Sequence, residues 1–252
     1  MSDLDDPTTT MPPAAGAPLA AAAPRSAWPV WIEILLCSGY PTQIALGYAL
    51  QALGLAPMRA DGTLNATFIF ALSLADTVLL LSLIVFLLMR RGERPARVFL
   101  GDAPPAREAA AGALSLPLVM IIVVALTLAI RQWAPSLHNV PENPLESLLG
   151  TQAGLLMFLV VVIVAGGVRE EVQRAFLLHR FRSDLGQPWI GVFVTSLAFG
   201  LGHTLQGLDA AVITGTLGAL WGTMYLVRGS AVAPMVSHSL FNSLELIRVF
   251  FR

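Results

Sequence analysis

The chain has 252 residues, of which 56% are hydrophobic and only 12% are charged. Water-soluble domains carry about a quarter charged residues, so this composition excludes an ordinary soluble fold and indicates an integral membrane protein. The formal net charge is −1, and no stretch of mixed basic and aromatic residues predicts nucleic-acid binding. The single cysteine, Cys37, cannot form a disulfide within the chain.

The first 28 residues differ in composition from the rest of the chain. They are rich in alanine, proline and threonine, and aspartates stand close to the start. A signal peptide needs a basic N-terminal region, and this start is acidic. The composition predicts a disordered tail over residues 1–28, followed by one transmembrane helical domain over residues 29–252.

Seven apolar segments along the chain are long enough to cross a bilayer, because a transmembrane helix needs about 20 apolar residues. They cover residues 29–53, 65–89, 110–131, 151–180, 188–206, 209–227 and 231–251. The first segment is interrupted by Glu33 and by Gly39-Tyr40-Pro41. The sequence therefore predicts an all-α fold, a polytopic membrane helix bundle of about seven transmembrane helices.

Arginines are concentrated in the segments that follow the second, fourth and sixth predicted spans. Cytoplasmic loops of membrane proteins carry an excess of arginine and lysine, so these segments are expected in the cytoplasm. The N-terminus is then cytoplasmic, and the protein is expected in the bacterial inner (plasma) membrane. The segment after the second span carries five of these arginines: Arg90, Arg91, Arg94, Arg97 and Arg107.

Two ionisable residues inside the predicted spans are interpreted as structural. Asp76 stands alone in the second span, and buried polar groups of membrane helices commonly form hydrogen bonds to a neighbouring helix. Glu245 stands three residues before Arg248, a spacing that allows an ion pair on one helix face.

A second set of polar residues is predicted to form one site inside the bundle. An ionisable side chain within a membrane costs several kcal/mol and is a functional candidate by default. At ~1.5 Å per residue, the carboxylates and the two histidines lie roughly 10 to 22 Å from the cytoplasmic ends of their spans. An ion-pair network that only holds the helices together is the structural alternative. The set comprises Glu170, Glu171, Arg174, His203, His238 and Asn242.

Three short motifs carry these residues and resemble a known family. EEVQR at 170–174, FGLGH at 199–203 and HSLFN at 238–242 are similar to motifs of the CAAX protease and bacteriocin-processing family. This family, also called the abortive-infection proteins, includes the type II CAAX prenyl endopeptidases. The resemblance covers residues 150–250, and it implies an intramembrane endopeptidase that cleaves a membrane-associated or lipidated peptide or protein.

The resemblance also implies a role for each residue. Glu170 with His203 activates a water molecule, His238 and Asn242 donate hydrogen bonds to the oxyanion, and Arg174 orients the carboxylates. Metal-assisted hydrolysis is the alternative mechanism, in which Glu170, His203 and His238 hold a divalent metal such as zinc. The sequence leaves the choice between the glutamic and the metal-dependent mechanism open.

One departure from the family pattern affects the choice of catalytic base. The family places three residues between its second glutamate and its arginine, whereas only Val172 and Gln173 precede Arg174 here. Glu170 is the preferred base and Glu171 the alternative. The shifted arginine favours a second function, a non-catalytic immunity or scaffold protein that binds a peptide, and a proton-relaying transporter is a third. Prenylated CAAX tails, bacteriocin leaders and membrane-protein segments are the substrates considered.

Overall fold

The computed structural model describes residues 28–252 as a bundle of helices. Over this range the chain forms no β-strand, and its extended pairing is one isolated bridge between Met58 and Leu64. The prediction of an all-α fold is confirmed. The predicted disordered tail lies outside the described residues, except for Trp28 at its end.

The helices follow one another along the chain, and the two longest connections cover residues 53–65 and 134–151. They are α1 (Trp28–Leu36), α2 (Tyr40–Ala52), α3 (Ala66–Arg90), α4 (Pro95–Leu100), α5 (Pro105–Leu114), α6 (Leu116–Trp133), α7 (Gln152–Val161), a π-helical segment (Val162–Arg169), α8 (Glu170–Ser183), α9 (Pro188–Leu201), α10 (Leu208–Arg228) and α11 (Val232–Phe250). Short 3₁₀ turns cover Pro135–Leu137, Pro144–Leu149 and Thr204–Gln206.

Four helical segments of the described range are long and apolar enough to cross a membrane. These are Ala66–Arg90, Pro95–Trp133, Gln152–Ser183 and Leu208–Arg228. The number of seven spans stays a prediction. The first predicted span is interrupted, the fifth forms only the 14-residue helix Pro188–Leu201, and the helix Val232–Phe250 is not among the four apolar segments. The first is split into α1 and α2 at Gly39, whose φ of 87° lies in the left-handed region, and a proline follows in the first turn of α2.

Large apolar side chains cover the outward faces of the helices, as expected for contact with lipid. A soluble protein rarely exposes so continuous an apolar surface. Together with the four apolar helices, this surface identifies an integral membrane protein. The exposed side chains include Val78, Phe86, Ile121, Leu128, Leu156, Phe193 and Leu197.

Helix α8 lies in the middle of the bundle and positions the polar residues of interest. Its apolar side chains Phe176 and Leu178 are fully buried, in the same cluster as the fully buried Ile84 and Leu88 of α3. A buried helix of this kind brings its charged residues into the protein interior as well. Its N-terminal turn carries the glutamate pair, and its C-terminal turns carry a second set of charges.

The C-terminal end of α8 is joined to α1 and to the segment after α3 by ion pairs, here named the C-terminal cluster. Arg180 is 1% exposed, and its Nε lies 2.8 Å from Glu33 Oε2 and its Nη1 2.5 Å from Glu93 Oε1. Arg91 binds Glu33 at 2.9 Å and Asp184 at 2.7 Å. The cluster comprises Glu33, Arg91, Glu93, His179, Arg180 and Asp184.

Candidate active site

The fourth predicted span is one continuous helical segment, but its middle is wider than an α-helix. Residues Val162–Arg169 form a π-helix directly before Glu170. Wide π turns inside α-helices occur frequently at functional sites, because they change the direction of the side chains that follow. Here the π turn determines how the glutamate pair is oriented in the bundle.

Two glycines of the π segment allow α11 to approach its backbone closely. A Cβ atom added at Gly167 would lie 1.8 Å from Ser239 Oγ, and one added at Gly166 would lie 2.7 Å from Asn242 Nδ2. A larger residue at Gly167 would push the two helices apart, because Ser239 Cα also lies 3.1 Å from the added Cβ, whereas one at Gly166 would displace the Asn242 side chain. The close approach places Asn242 beside the turn that carries Glu170.

A cavity of about 820 Å³ opens inside the bundle and brings the three motifs together. Its wall includes Glu170, Arg174, His203, His238 and Asn242. Five of the six residues that were predicted to form one site therefore line the same cavity.

The second glutamate, Glu171, lies behind the cavity wall as the centre of a buried network. Its side chain is 1% exposed, and its Oε1 atom accepts hydrogen bonds from His238 Nδ1 at 2.8 Å and from Arg174 Nη1. Arg174 therefore pairs with Glu171 at a spacing of three residues along α8. The shortened motif still supports the contact between the carboxylate and the arginine.

One hydrogen bond and two aromatic rings hold the imidazole of His238 in place. Because an ionised carboxylate only accepts hydrogen bonds, the bond to Glu171 places a proton on His238 Nδ1. In the neutral imidazole, Nε2 is then a hydrogen-bond acceptor. The ring stacks on Trp221 with centroids 3.9 Å apart and planes at 18°, and the ring of Phe199 stands edge-on at 5.9 Å.

Of the two adjacent glutamates, Glu170 is the one that faces the cavity. Its side chain is 19% exposed, and its Oε2 atom lies 3.9 Å from His238 Nε2. Its other oxygen, Oε1, accepts a hydrogen bond from Arg169 Nη2 at 3.2 Å. One oxygen of Glu170 is therefore held by the protein, and the other faces His238.

His203 reaches the same cavity from the end of α9. Its Nδ1 atom donates to the carbonyl oxygen of Phe199 at 2.8 Å, so Nε2 is again the acceptor of the neutral ring. The Phe199 ring packs against His203 with centroids 4.6 Å apart and also against His238. Phe199 therefore separates the two imidazoles and positions both.

The metal-binding alternative is not supported by the arrangement of the side chains. Among residues 28–252, no group of three histidine, cysteine, aspartate or glutamate side chains is close enough together to hold a metal ion. Glu170 and His238 approach each other, but His203 does not complete a ligand set with them. The metal-dependent alternative through Glu170, His203 and His238 therefore stays a prediction.

The two acids interpreted as structural both have partners. Asp76 Oδ2 accepts a hydrogen bond from Arg169 Nη1 at 2.9 Å, which links α3 to the π segment as expected for a contact between helices. Glu245 pairs with Arg248 at 2.7 Å, the partner that the spacing predicts.

Two residues of the site were not found from the sequence, Arg169 and Trp221. Arg169 stands directly before the glutamate pair, so its position in a charged run was the available signal. Trp221 carried no signal, because a tryptophan in an apolar helix ordinarily packs in the core or against lipid.

A comparison with family models gives a match over residues 151–244, to the family described as type II CAAX prenyl endopeptidase Rce1-like. No curated protein and no solved structure matches the chain. The matched range begins at α7 and ends within α11, so it contains all the motif residues that line the cavity. The match over residues 151–244 therefore supports the resemblance of the C-terminal helices to the CAAX protease and bacteriocin-processing family.

Proposed function

We propose that the protein is an intramembrane endopeptidase in which Glu170 activates a water molecule for attack on a peptide bond. The observation that carries this proposal is the position of Glu170 Oε2, 3.9 Å from His238 Nε2 at the wall of an internal cavity. Peptide hydrolysis needs an activated water, a stabilised oxyanion and a proton for the leaving amine. Side chains for each task line the same cavity.

The water molecule is expected between Glu170 and His238. Both Glu170 Oε2 and the Nε2 atom of neutral His238 accept hydrogen bonds, so one water molecule can donate one hydrogen bond to each. A water held by two acceptors directs its oxygen lone pairs into the cavity, toward the substrate carbonyl. The roles of the histidines then differ from the expected ones, because His238, and not His203, stands beside the base.

The proton moves in two steps. Glu170 accepts a proton from the water as the water oxygen bonds to the carbonyl carbon, and the carbonyl oxygen becomes an oxyanion. Asn242 Nδ2 is the neutral donor for that oxyanion. Collapse of the intermediate breaks the C–N bond, and the proton on Glu170 passes to the leaving nitrogen, directly or through His203. The products are a carboxylic acid and an amine.

The two glutamates are assigned different tasks. Glu171 is buried and already binds His238 and Arg174, so a substrate cannot reach it. Glu170 faces the cavity and keeps one oxygen toward His238. We therefore assign Glu170 as the base and Glu171 as the residue that orients His238, which is the role of a buried carboxylate behind a catalytic histidine.

The substrate class follows from the place of the cavity. The cavity wall combines the polar residues with apolar side chains such as Leu72, Val123 and Val161, within helices that cross the membrane. A membrane-associated peptide or protein segment fits this wall. Prenylated CAAX tails, bacteriocin leaders and membrane-protein segments are the peptides to be compared.

Cleavage of a quenched peptide library by the purified protein in lipid nanodiscs tests the proposal. The wild-type protein is expected to cleave at least one peptide class, and the Glu170→Gln variant is expected to cleave none measurably. Activity that survives a metal chelator supports the glutamic mechanism, whereas activity lost with chelator and restored by zinc contradicts it. Peptide binding without cleavage would favour the scaffold function instead.

The proposed orientation places residues 90–107 in the cytoplasm of a bacterial inner membrane, with the N-terminus on the same side. The native Cys37 is buried and is replaced by serine for the test. A new cysteine at Arg94 is expected to react with a membrane-impermeant reagent only after the cells are opened. Labelling in intact cells would reverse the orientation.

A further inference from the structure

A buried arginine outside the three family motifs stands between two carboxylates at the cavity wall. Arg169 Nη1 donates to Asp76 Oδ2 on α3 at 2.9 Å, and Arg169 Nη2 donates to Glu170 Oε1 at 3.2 Å. The Arg169 side chain is 8% exposed and that of Asp76 is 1% exposed. The three residues form a continuous chain from a neighbouring helix to the proposed base.

We infer that Arg169 is a positioning residue for the carboxylate of Glu170, and that Asp76 acts on the reaction by holding Arg169. The inference rests on the proposed endopeptidase activity and adds two residues to it. Neither residue is proposed to contact the substrate. Their effect is on the direction in which Glu170 presents its second oxygen.

The guanidinium of Arg169 is held along several edges. Besides the two carboxylates, its Nε donates to the carbonyl oxygen of Ala165 at 3.4 Å and its Nη1 to Gln173 Oε1 at 3.4 Å. The same Ala165 carbonyl accepts the backbone N–H of Glu170 in the π turn. A planar group with this many partners cannot turn freely, so the position of its Nη2 is well determined.

The hydrogen bond from Arg169 restricts the last side-chain torsion of Glu170. A carboxylate turns readily about its last bond, because that torsion has a broad and nearly two-fold profile. The bond from Arg169 to Oε1 removes this freedom and leaves Oε2 toward His238 Nε2. A small displacement of a reacting group costs about 10²-fold in rate, so this restraint has a measurable effect.

The charge of Arg169 is needed as well as its geometry. Asp76 and Glu170 approach the same guanidinium from two sides, and without it two carboxylates would face each other in a membrane interior. Such an arrangement is costly, so Glu170 would turn away from Asp76 and lose its place beside His238. It would then no longer serve as the base.

The kinetic constants of Arg169 and Asp76 variants test the inference in the peptide assay. Arg169→Met is expected to lower kcat about 10²-fold with KM changed less than about twofold, because the group that turns the base has been lost. Arg169→Lys retains the charge and one donor direction, so it is expected to recover part of that loss. Asp76→Asn is expected to lower kcat about tenfold, since a neutral partner holds Arg169 less firmly.

The ion pair of Arg228 with Glu108 provides a matched control. Arg228 contacts Glu108 through two nitrogens at 2.5 and 2.8 Å, and Glu108 is 3% exposed. It joins α10 to α5 away from the motif residues. Arg228→Met and Glu108→Gln are expected to change stability but to leave kcat within about twofold, the range expected for a distant site.

The double variant distinguishes positioning from helix packing. If Asp76 acts through Arg169, then Asp76→Asn with Arg169→Met is expected to lose no more kcat than Arg169→Met alone. This neutral pair also decides the question if Arg169→Met does not fold, because it leaves no unpaired Asp76. Additive losses, or a folded Arg169→Met with normal kcat, would overturn the inference.

The same assay separates failure of this inference from failure of the proposed function. Cleavage by the wild type that is lost in Glu170→Gln but retained in Arg169→Met would disprove the positioning role alone. A wild-type protein that cleaves no peptide would disprove the endopeptidase and the positioning role together.

Discussion

The two ends of α8 carry polar clusters of similar composition and different chemistry. At the N-terminal end, Glu170 and Glu171 meet Arg174 and His238; at the C-terminal end, the C-terminal cluster also combines carboxylates, arginines and a histidine. The N-terminal set lies at a cavity wall, with Glu170 Oε2 and His238 Nε2 facing each other at 3.9 Å. In the C-terminal cluster the carboxylates and the arginines form ion pairs with one another.

This difference shows that charged residues in a membrane protein do not by themselves mark an active site. Both clusters hold several helices together, and both cost free energy to bury. The N-terminal set differs because it lies at the wall of a cavity, next to a π turn whose two glycines allow α11 to approach closely. We expect substitutions at the two ends of α8 to separate activity from stability.

The largest effect is expected for Glu170→Gln. Loss of a general base costs about 10²–10⁴ in rate, and here the base also holds the attacking water, so we expect a loss of about 10³-fold or more in kcat. The unfolding temperature is expected to stay near that of the wild type, because Glu170 is partly exposed. Peptide cleavage and a thermal scan of one preparation measure both quantities. Full activity in this variant would contradict the assignment of the base.

The opposite pattern is expected for Arg180→Met in the C-terminal cluster. Removing one partner of a buried ion-pair network leaves Glu33 and Glu93 without it, which costs about 3 kcal/mol of unfolding free energy. The kcat per folded molecule is expected to stay within about twofold, since α8 residues that far apart share no partner. A large loss of kcat in folded protein would show that the two ends of α8 are coupled.

A smaller effect is expected for Asn242→Ala. Loss of one oxyanion donor typically costs about 10²–10³ in rate, and the lower value is expected because Asn242 is one of several polar groups at the wall. Asn242→Asp is the matched variant, because it retains the size but removes the donor, and it is expected to be no better. Normal activity of Asn242→Ala would show that another residue donates the hydrogen bond to the oxyanion.

The smallest expected effect is the change in stability that the C-terminal cluster causes at acidic pH. Partial burial raises the pKa of Glu93. Hydrogen bonds from Arg180 and His179 lower this pKa by more than burial raises it, so the pKa lies below its ordinary value of 4.5. A carboxyl group whose pKa is lowered by folding stabilises the protein above 4.5, and this contribution is lost as the pH falls through the folded pKa.

The unfolding temperature is therefore expected to be nearly constant down to about pH 5 and to fall below it. Glu93→Gln is expected to reduce that fall and to cost at most about 1 kcal/mol at neutral pH, because Glu93 is partly exposed to solvent. Identical acid curves for the two proteins would show that other carboxyl groups control the acid transition.

The sequence was sufficient for the features that depend on local patterns. Hydropathy predicts the helices because about 20 apolar residues in succession have few other stable states in a membrane. The three motifs predicted the family, and the family match over residues 151–244 falls within the predicted range of 150–250. The contact between Glu245 and Arg248 followed from spacing on one helix.

The tertiary structure decided which of two neighbouring glutamates faces the cavity. Successive residues of a helix point about 100° apart, so Glu170 and Glu171 face different directions, and the sequence alone does not state the rotation of α8 about its axis. The π turn determines that rotation, and packing against α11 fixes it through Gly167 and Ser239.

Contacts between helices far apart in the chain were likewise beyond the sequence. Asp76 and Arg169 are 93 residues apart, and the stacking of Trp221 on His238 depends on the packing of α10 against α11. A pattern along the chain reports which side chains are costly to bury, but not which partners offset that cost. Residue types and the all-helical fold class were therefore readable from the sequence, whereas helix packing decided that Glu170 faces the cavity and that Glu171 is buried behind it.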